Sequence, residues 1–281
     1  MFMSAIALYC STGSLSTARG DEFLVEAMTQ VLEAANGLEG QSDLGYDVNG
    51  HTCVLGAFIA PGESVSLVRP FSAGRRYAVL AGGDRDANDI DIRVLDANGH
   101  LMTEDADADA SPAVSFYPVT EQMCEIQITL YSAVRSSFVF VAILSEGGYH
   151  VPPQNQIEAA AQLLTKYQML SGAGSTSLLN TSGNWAVYGS ILEGGENMTI
   201  DNVGLGHGRR IIMTGSDQRT SDLDLYVQVN EMETVQLSDI AEDSVPVIDG
   251  QFFGDLHRLR LQNSLTGGAS TFVLTGIVQL N

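Results

Sequence analysis

The stretch 84-DRDANDIDIRVLDANG-99 and the run 105-DADAD-109 behind it concentrate carboxylates: Asp84, Asp86, Asp89, Asp91, Asp105, Asp107 and Asp109. Two chemistries are open to such a set. Carboxylates supply hard oxygens to calcium, which takes roughly six to eight of them, and paired across a cleft they hydrolyse glycosides. Spacing excludes an EF-hand. With Asp84, Asp86 and Asn88 at its first, third and fifth positions, the sixth is Asp89 where glycine is required. The twelfth is Leu95, where a bidentate glutamate is required. A hairpin fits better. If Ala97-Asn98-Gly99 turn the chain, facing residues carry numbers that sum to about 196. Asp91 then faces Asp105, Asp89 faces Asp107, and the two acidic runs meet at one sheet end. There they either share a cation such as calcium or remain solvated turns, with Asp side chains bonding local backbone N–H groups.

The chain also repeats itself. The segment 54-VLGAFIAPGESVSL-67 returns as 187-VYGSILEGGENMTI-200, and 81-AGGDRDANDIDIRV-94 as 214-TGSDQRTSDLDLYV-227. Both pairs keep one constant offset, that from Gly56 to Gly189 and from Gly82 to Gly215. Between them 74-GRRY-77 matches 208-GRRI-211, shifted by one residue as a single loop insertion explains, and later Asp109 and Pro112 match Asp243 and Pro246, also one position beyond the constant offset. Matches in order at near-constant spacing imply two tandem copies of one domain. The second acidic set is Asp217, Asp222, Asp224, Asp239 and Asp243 with Glu242, and a turn near Asn230-Glu231 would bring its halves together. The cysteines break the repeat. Cys53 and Cys124 of copy one correspond to Ala186 and His257. Their joint loss is expected of one disulfide, which an exported protein would permit. Two free buried thiols are the other reading.

The elements that position these residues follow from periodicity. Residues 21–37 open on acidic residues and place Leu24, Met28, Val31, Leu32 and Ala35 on one helical face, with Gly37 at the exit. Residues 152–172 repeat the plan, with Ile157, Ala161, Leu164 and Gln168 on one stripe. The rest alternates with a period of two: Ile90, Ile92 and Val94; Leu223, Leu225 and Val227; Ile126, Ile128 and Leu130; Phe138 and Phe140; Leu259 and Leu261; Phe272 and Leu274. Short strands broken by Gly, Pro, Asn and Asp predict a mainly β chain of two antiparallel, jelly-roll-like β-sandwiches, each preceded by one α-helix. The predicted domains are 21–149 and 154–281, joined near 145-SEGGYHVPP-153.

The order of these features resembles the bacterial pre-peptidase C-terminal (PPC) domain. Copy one carries Gly74 to Tyr77, the strand Asp89 to Val94, the turn Asp96-Ala97-Asn98-Gly99, the acidic stretch Asp105 to Asp109, and Val114-Ser115-Phe116. Copy two keeps Asp222 to Val227, but its turn, 228-QVNEME-233, lacks the glycine. The resemblance covers the sandwich of each copy and omits the helices. It implies a secreted, non-catalytic accessory domain with a jelly-roll-like fold, in some cases associated with calcium.

Composition narrows the function classes. A hydrophobic share of 44% with 17% charged residues describes a folded globular chain. A formal net charge of −21 disfavours nucleic acid and anionic membrane surfaces as partners. No G-x-S-x-G, H-E-x-x-H or G-x-x-x-x-G-K-[ST] occurs, and the five histidines show no metal-ligand spacing. The pairs Arg75-Arg76 and Arg209-Arg210 are read as neutralising nearby acids, with an anionic ligand as the alternative. Residues 1–20 are apolar and then small, without a preceding Lys or Arg, and read as a degenerate secretion signal or a disordered start. Three readings therefore stand in order. The first is a secreted or periplasmic, non-catalytic binding or adhesion module for a protein or polysaccharide surface. The second is a calcium-stabilised structural or chaperone-like accessory, and the third a hydrolase with an acidic carboxylate site.

Overall fold

The computed structural model of the protein describes residues 19–39, 42–49, 52–171, 176–229, 234–254, 256–266 and 270–280. The expectations for residues 1–18 and for the turn near Asn230-Glu231 lie outside these. Among the described residues the chain divides into two compact units, one of Arg19–Val151 with Asn180–Gly183 and the other of Pro152–Leu179 with the residues from Asn184 onward. Unit 1 holds α1 (Arg19–Glu39), β1 (Leu44–Tyr46), β2 (Thr52–Ile59), β3 (Ser64–Phe71), β4 (Tyr77–Gly83), β5 (Ala87–Leu95), β6 (Leu101–Asp105), β7 (Ala113–Phe116), β8 (Gln122–Ala133) and β9 (Ser137–Glu146). Unit 2 holds α2 (Pro153–Ser171), β10 (Thr176–Leu178), β11 (Val187–Leu192), β12 (Asn197–Gly204), β13 (His207–Ser216), β14 (Thr220–Val229), β15 (Val235–Asp239), β16 (Val247–Phe253), β17 (Leu256–Thr266) and β18 (Thr271–Leu280).

In unit 1 the strands form two antiparallel sheets, β2-β9-β4-β7 and β3-β8-β5-β6. From β2 to β9 successive strands hop between the sheets, only β5 and β6 staying together as a hairpin, and this interleaving defines a jelly roll; the short β1 pairs with β9 in the same sheet as β2. Unit 2 has the orders β11-β18-β13-β16 and β12-β17-β14-β15, which are those of unit 1 with each label advanced by nine. Register agrees as well. Ile90 faces Leu130 and Asp91 faces Thr129; at the matching positions of unit 2, Leu223 faces Asn263 and Asp224 faces Gln262. The irregularity after Ala87 recurs after Thr220.

Alternation explains the cores. Ile90, Ile92, Val94, Ile126, Ile128 and Leu130 are buried inside unit 1, and Leu223, Leu225, Val227, Leu259 and Leu261 inside unit 2. The sheet containing β4 and β9 is covered on both faces, because α1 packs on β9 and β4 through Leu24, Met28, Val31, Leu32 and Ala35. Helix α2 packs likewise on β13 and β18. That contact requires Gly215, where a Cβ would lie 2.4 Å from the Ala159 carbonyl oxygen and 2.6 Å from the Leu163 nitrogen.

Three local expectations change. Gly37 does not end α1, which runs on to Glu39 until Ser42 closes it: the Ser42 N–H and hydroxyl both donate to the Leu38 carbonyl at 2.9 and 2.8 Å. The buried face of α2 is Gln156, Ile157, Ala159, Ala160, Leu163, Leu164 and Tyr167; Ile157 and Leu164 lie on it as expected, but Ala161 and Gln168 are only half-buried, because the close approach at Gly215 fixes which side of the helix meets the sheet. The β5–β6 register is one residue off the hairpin arithmetic. A bulge between Val94 and Leu95 sets Ile92, not Asp91, opposite Asp105.

Candidate functional site

The acidic residues separate into two kinds by what their oxygens accept. The first kind fastens the backbone. Asp84, buried between β4 and β5, accepts the N–H groups of Asp86 at 3.0 Å and Phe138 at 2.8 Å. Asp105 accepts those of Asp107 and Ala113, at 3.2 and 2.9 Å, and Asp109 that of Ser111 at 2.8 Å. Unit 2 repeats each bond. Asp217 accepts the N–H groups of Arg219 and Phe272, Asp239 those of Ala241 and Val247, and Asp243 that of Val245. These carboxylates are fold determinants, since each supplies an acceptor where the chain leaves the ladder and has none of its own.

The second kind lies on the outer side of β5 and β14. Asp89 and Asp91 alternate with core residues, as do Asp222 and Asp224. The acidic runs do meet here: the Ile90 N–H donates to the Asp109 carbonyl at 2.8 Å, and the Leu223 N–H to that of Asp243 at 2.8 Å. Burial, then Asp89, pushes the Asp91 carboxyl above its ordinary range. Burial, followed by Asp224, Glu242 and Asp243, does the same to Asp222. Asp222 is only 9% exposed, and its Oδ1 has no hydrogen-bond partner. Asp224 is satisfied by Ser264 Oγ at 2.9 Å and the Tyr226 hydroxyl at 3.3 Å. Asp86 pairs with Arg135 at 2.6 Å, and Asp107 is exposed. Among the described residues, no three His, Cys, Asp or Glu side chains are gathered into a group able to hold a metal ion.

Cys53 and Cys124 are free buried thiols, not a disulfide. Cys53 lies on β2 and Cys124 on β8 of the opposite sheet, with the Cys124 Sγ 3.7 Å from the Met102 Sδ. Burial, then the Asp47 charge, raises the Cys53 thiol to about 12, which leaves it inert at neutral pH. Beside it Arg69 pairs with Asp47, both buried. Leu179 stands in unit 2 where Asp47 stands in unit 1, since the Asp47 N–H bonds to Ile143 as the Leu179 N–H bonds to Ile277. Cysteine and ion pair are thus both features of unit 1 alone. Of the paired arginines, Arg76 meets Asp43 at 2.6 Å and Arg209 meets Asp249. Arg210 instead holds the carbonyls of Leu205, His207 and Arg209 in its own loop.

One concave site escaped the sequence reading. A groove of about 400 Å³ lies along α2, with Ile157, Ala161, Met169 and Val245 as its apolar surface and Lys166 and Gln218 among its polar groups. One end of it differs from the matching place in unit 1. In unit 1 the backbone N–H of Arg85 bonds to Glu26 of α1, as that of Gln218 bonds to Glu158 of α2. The Arg85 guanidinium then spans the helix, meeting Glu22 at 2.9 Å and Glu26 at 2.8 Å. Unit 2 has Gln218 in place of Arg85, and Gln154 bonds to Glu158 at 3.0 Å. The signal was in the two copies: Arg85 aligns with Gln218 at the repeat spacing.

Neither a known protein family nor a curated protein matches the chain. Solved structures with slight similarity include the PBSX exported protein XepA, at 11% identity over 83% of this chain and 88% of that one, with a TM-score of 0.29. A cupin 2 conserved barrel domain protein from Leptotrichia buccalis is 9% identical over 84% and 91%, at 0.21. The triple jelly-roll turret protein of an archaeal virus is 12% identical over 83% and 59%, at 0.24. The jelly-roll assignment rests on the strand orders and not on these likenesses.

Proposed function

We propose that the chain is a duplicated, PPC-like, non-catalytic binding or adhesion module that acts outside the cytoplasm on a protein or polysaccharide surface. The observation that carries this reading is a corner repeated in both units. Val119, in the connection from β7 to β8, is 84% exposed, and Phe253, its counterpart in the repeat at the end of β16, is 79% exposed. Met123 and its counterpart Leu256 are 44% and 52% exposed beside them. Single exposed apolar residues are ordinary, but apolar residues kept outward at matching positions in both units suit a contact made twice. Sedimentation with bacterial envelope fragments tests it. The parent chain is expected to co-sediment and the double variant Val119→Ser, Phe253→Ser to remain in solution. Prior protease or glycosidase treatment of the fragments tells a protein partner from a polysaccharide. A parent that stays in solution, or a variant retained equally well, overturns the reading.

A calcium-stabilised accessory is the second reading, favoured by the unpartnered Oδ1 of Asp222 beside Asp224, Glu242 and Asp243. A calcium titration followed by melting temperature tests it.

A further inference from the structure

We propose that the groove on α2 binds a small organic anion with an apolar tail, an aliphatic carboxylate, and this goes beyond the surface contact at the corners. Three observations converge. The groove has the size of a small-molecule site, and Ile157, Ala161, Met169 and Val245 give it an apolar strip between its polar residues. Lys166, the only lysine of the chain, borders it, and among the described residues no carboxylate lies within ion-pairing distance of it. Arg75 and Arg219 also lack a carboxylate partner among the described residues, but neither borders the groove, so Lys166 is the cation there that can attract an external anion in a protein of net charge −21.

The remaining charge of the groove does not compete. Glu158 already accepts the Gln154 side-chain amide at 3.0 Å and the Gln218 N–H at 3.2 Å. It stands eight residues before Lys166, about 12 Å along the helix. A carboxylate head at Lys166 therefore leaves the tail to run over Ala161 towards Ile157, with Val245 as the facing wall. Unit 1 shows how the tail end of such a groove is closed: its own Arg85 side chain is held by Glu22 and Glu26, on the turn of α1 that matches Gln154 to Glu158. Unit 2 carries neither that arginine nor the acid corresponding to Glu22, since Gln154 stands there.

Calorimetric titration of the full chain with sodium decanoate, below its micelle-forming concentration, tests this. Saturable binding of one decanoate per chain is expected. Lys166→Gln should weaken it about tenfold, as loss of a charge-assisted hydrogen bond does, while Lys166→Arg should largely keep it. Decan-1-ol should bind about as weakly to the parent as decanoate does to Lys166→Gln. The double variant Gln154→Glu, Gln218→Arg, which rebuilds the Glu22–Arg85–Glu26 arrangement on α2 and blocks the tail end of the groove, should weaken binding clearly while leaving the circular dichroism spectrum unchanged. The absence of saturable binding to the parent, decanol binding as well as decanoate, or full binding by a folded double variant each overturns the proposal. Envelope sedimentation of the same double variant, expected to match the parent, keeps this outcome separate from the surface reading.

Discussion

Asp217 and Asp107 both belong to the acidic runs, yet their surroundings give them opposite roles. Asp217 is fully buried and accepts four donors: Asn155 Nδ2 at 2.6 Å, Thr271 Oγ1 at 2.7 Å, and the N–H groups of Arg219 and Phe272 at 3.0 and 3.1 Å. Each buried donor stranded by Asp217→Ala costs about 1–3 kcal/mol, so denaturant unfolding should show a loss of at least about 3 kcal/mol. Asp107 is exposed, and Ala241 stands at its place in unit 2, so Asp107→Ala should stay within about 0.5 kcal/mol of the parent. Asp222 gives a pH-dependent contrast. Its carboxyl is raised by burial and by Asp224, Glu242 and Asp243, so between its unfolded and folded pKa the native state holds more protons than the unfolded one. Stability from this group is therefore greatest below the unfolded value and falls as pH rises through the folded value. Asp222→Asn should raise the melting temperature at pH 7, with a gain that shrinks as the pH is lowered towards 4. An equal gain at both pH values would show that its ionisation is not involved.

At the scale of elements, period-two alternation placed the strands of the sheet that faces solvent on one side, β5 and β8 among them, whereas β4 and β9, covered on one face by α1 and on the other by the opposite sheet, are buried along nearly their whole length. Ile90, Ile92 and Val94 could be read as core directly. The helix faces were less legible. The stripe of α1 agrees with its buried face, whereas that of α2 is right at Ile157 and Leu164 but misses Ala159, Ala160 and Leu163, since a backbone approach at one glycine decides which residues of α2 meet the sheet. The same contact yields a test. An added Cβ at Gly215 would strike the α2 backbone, whereas at Gly82 it would meet the Val31 Cγ2 at 2.8 Å and the Gln30 Oε1 at 2.9 Å. Side-chain ends can turn aside, and helix backbone cannot without shifting the helix. Gly215→Ala should therefore cost about 1–3 kcal/mol and Gly82→Ala clearly less, which paired thermal melts would reveal. Equal losses would mean that α2 moves off the sheet as easily as a side chain rotates.

For the whole molecule, the constant spacing of matched segments was legible in sequence, and both units have the same strand order. What spacing could not show is what each copy leaves unfilled. At one end of the groove Gln218 stands where unit 1 has Arg85 paired with Glu22 and Glu26, a difference that acquires meaning only once the helix lies beside the loop. The acidic runs were visible, but one bulge at Val94/Leu95 decided which of their residues face each other. Their net effect is collective. With 34 acidic residues against 13 basic ones, the folded chain concentrates negative charge that the unfolded chain spreads out. Sodium chloride should therefore raise the melting temperature steeply between about 10 and 150 mM, as the screening length falls from about 30 to 8 Å. Exposed pairs such as Arg85–Glu22 and Arg76–Asp43 weaken over the same range but contribute little, so the net slope should be positive. Calcium at matched ionic strength separates screening from binding. If ions only screen, calcium and sodium give superimposable curves, and Asp222→Asn shifts both alike. If the Asp222 end of unit 2 holds calcium, the melt gains up to about 2.7 kcal/mol at a hundredfold excess over Kd, and Asp222→Asn removes that gain alone.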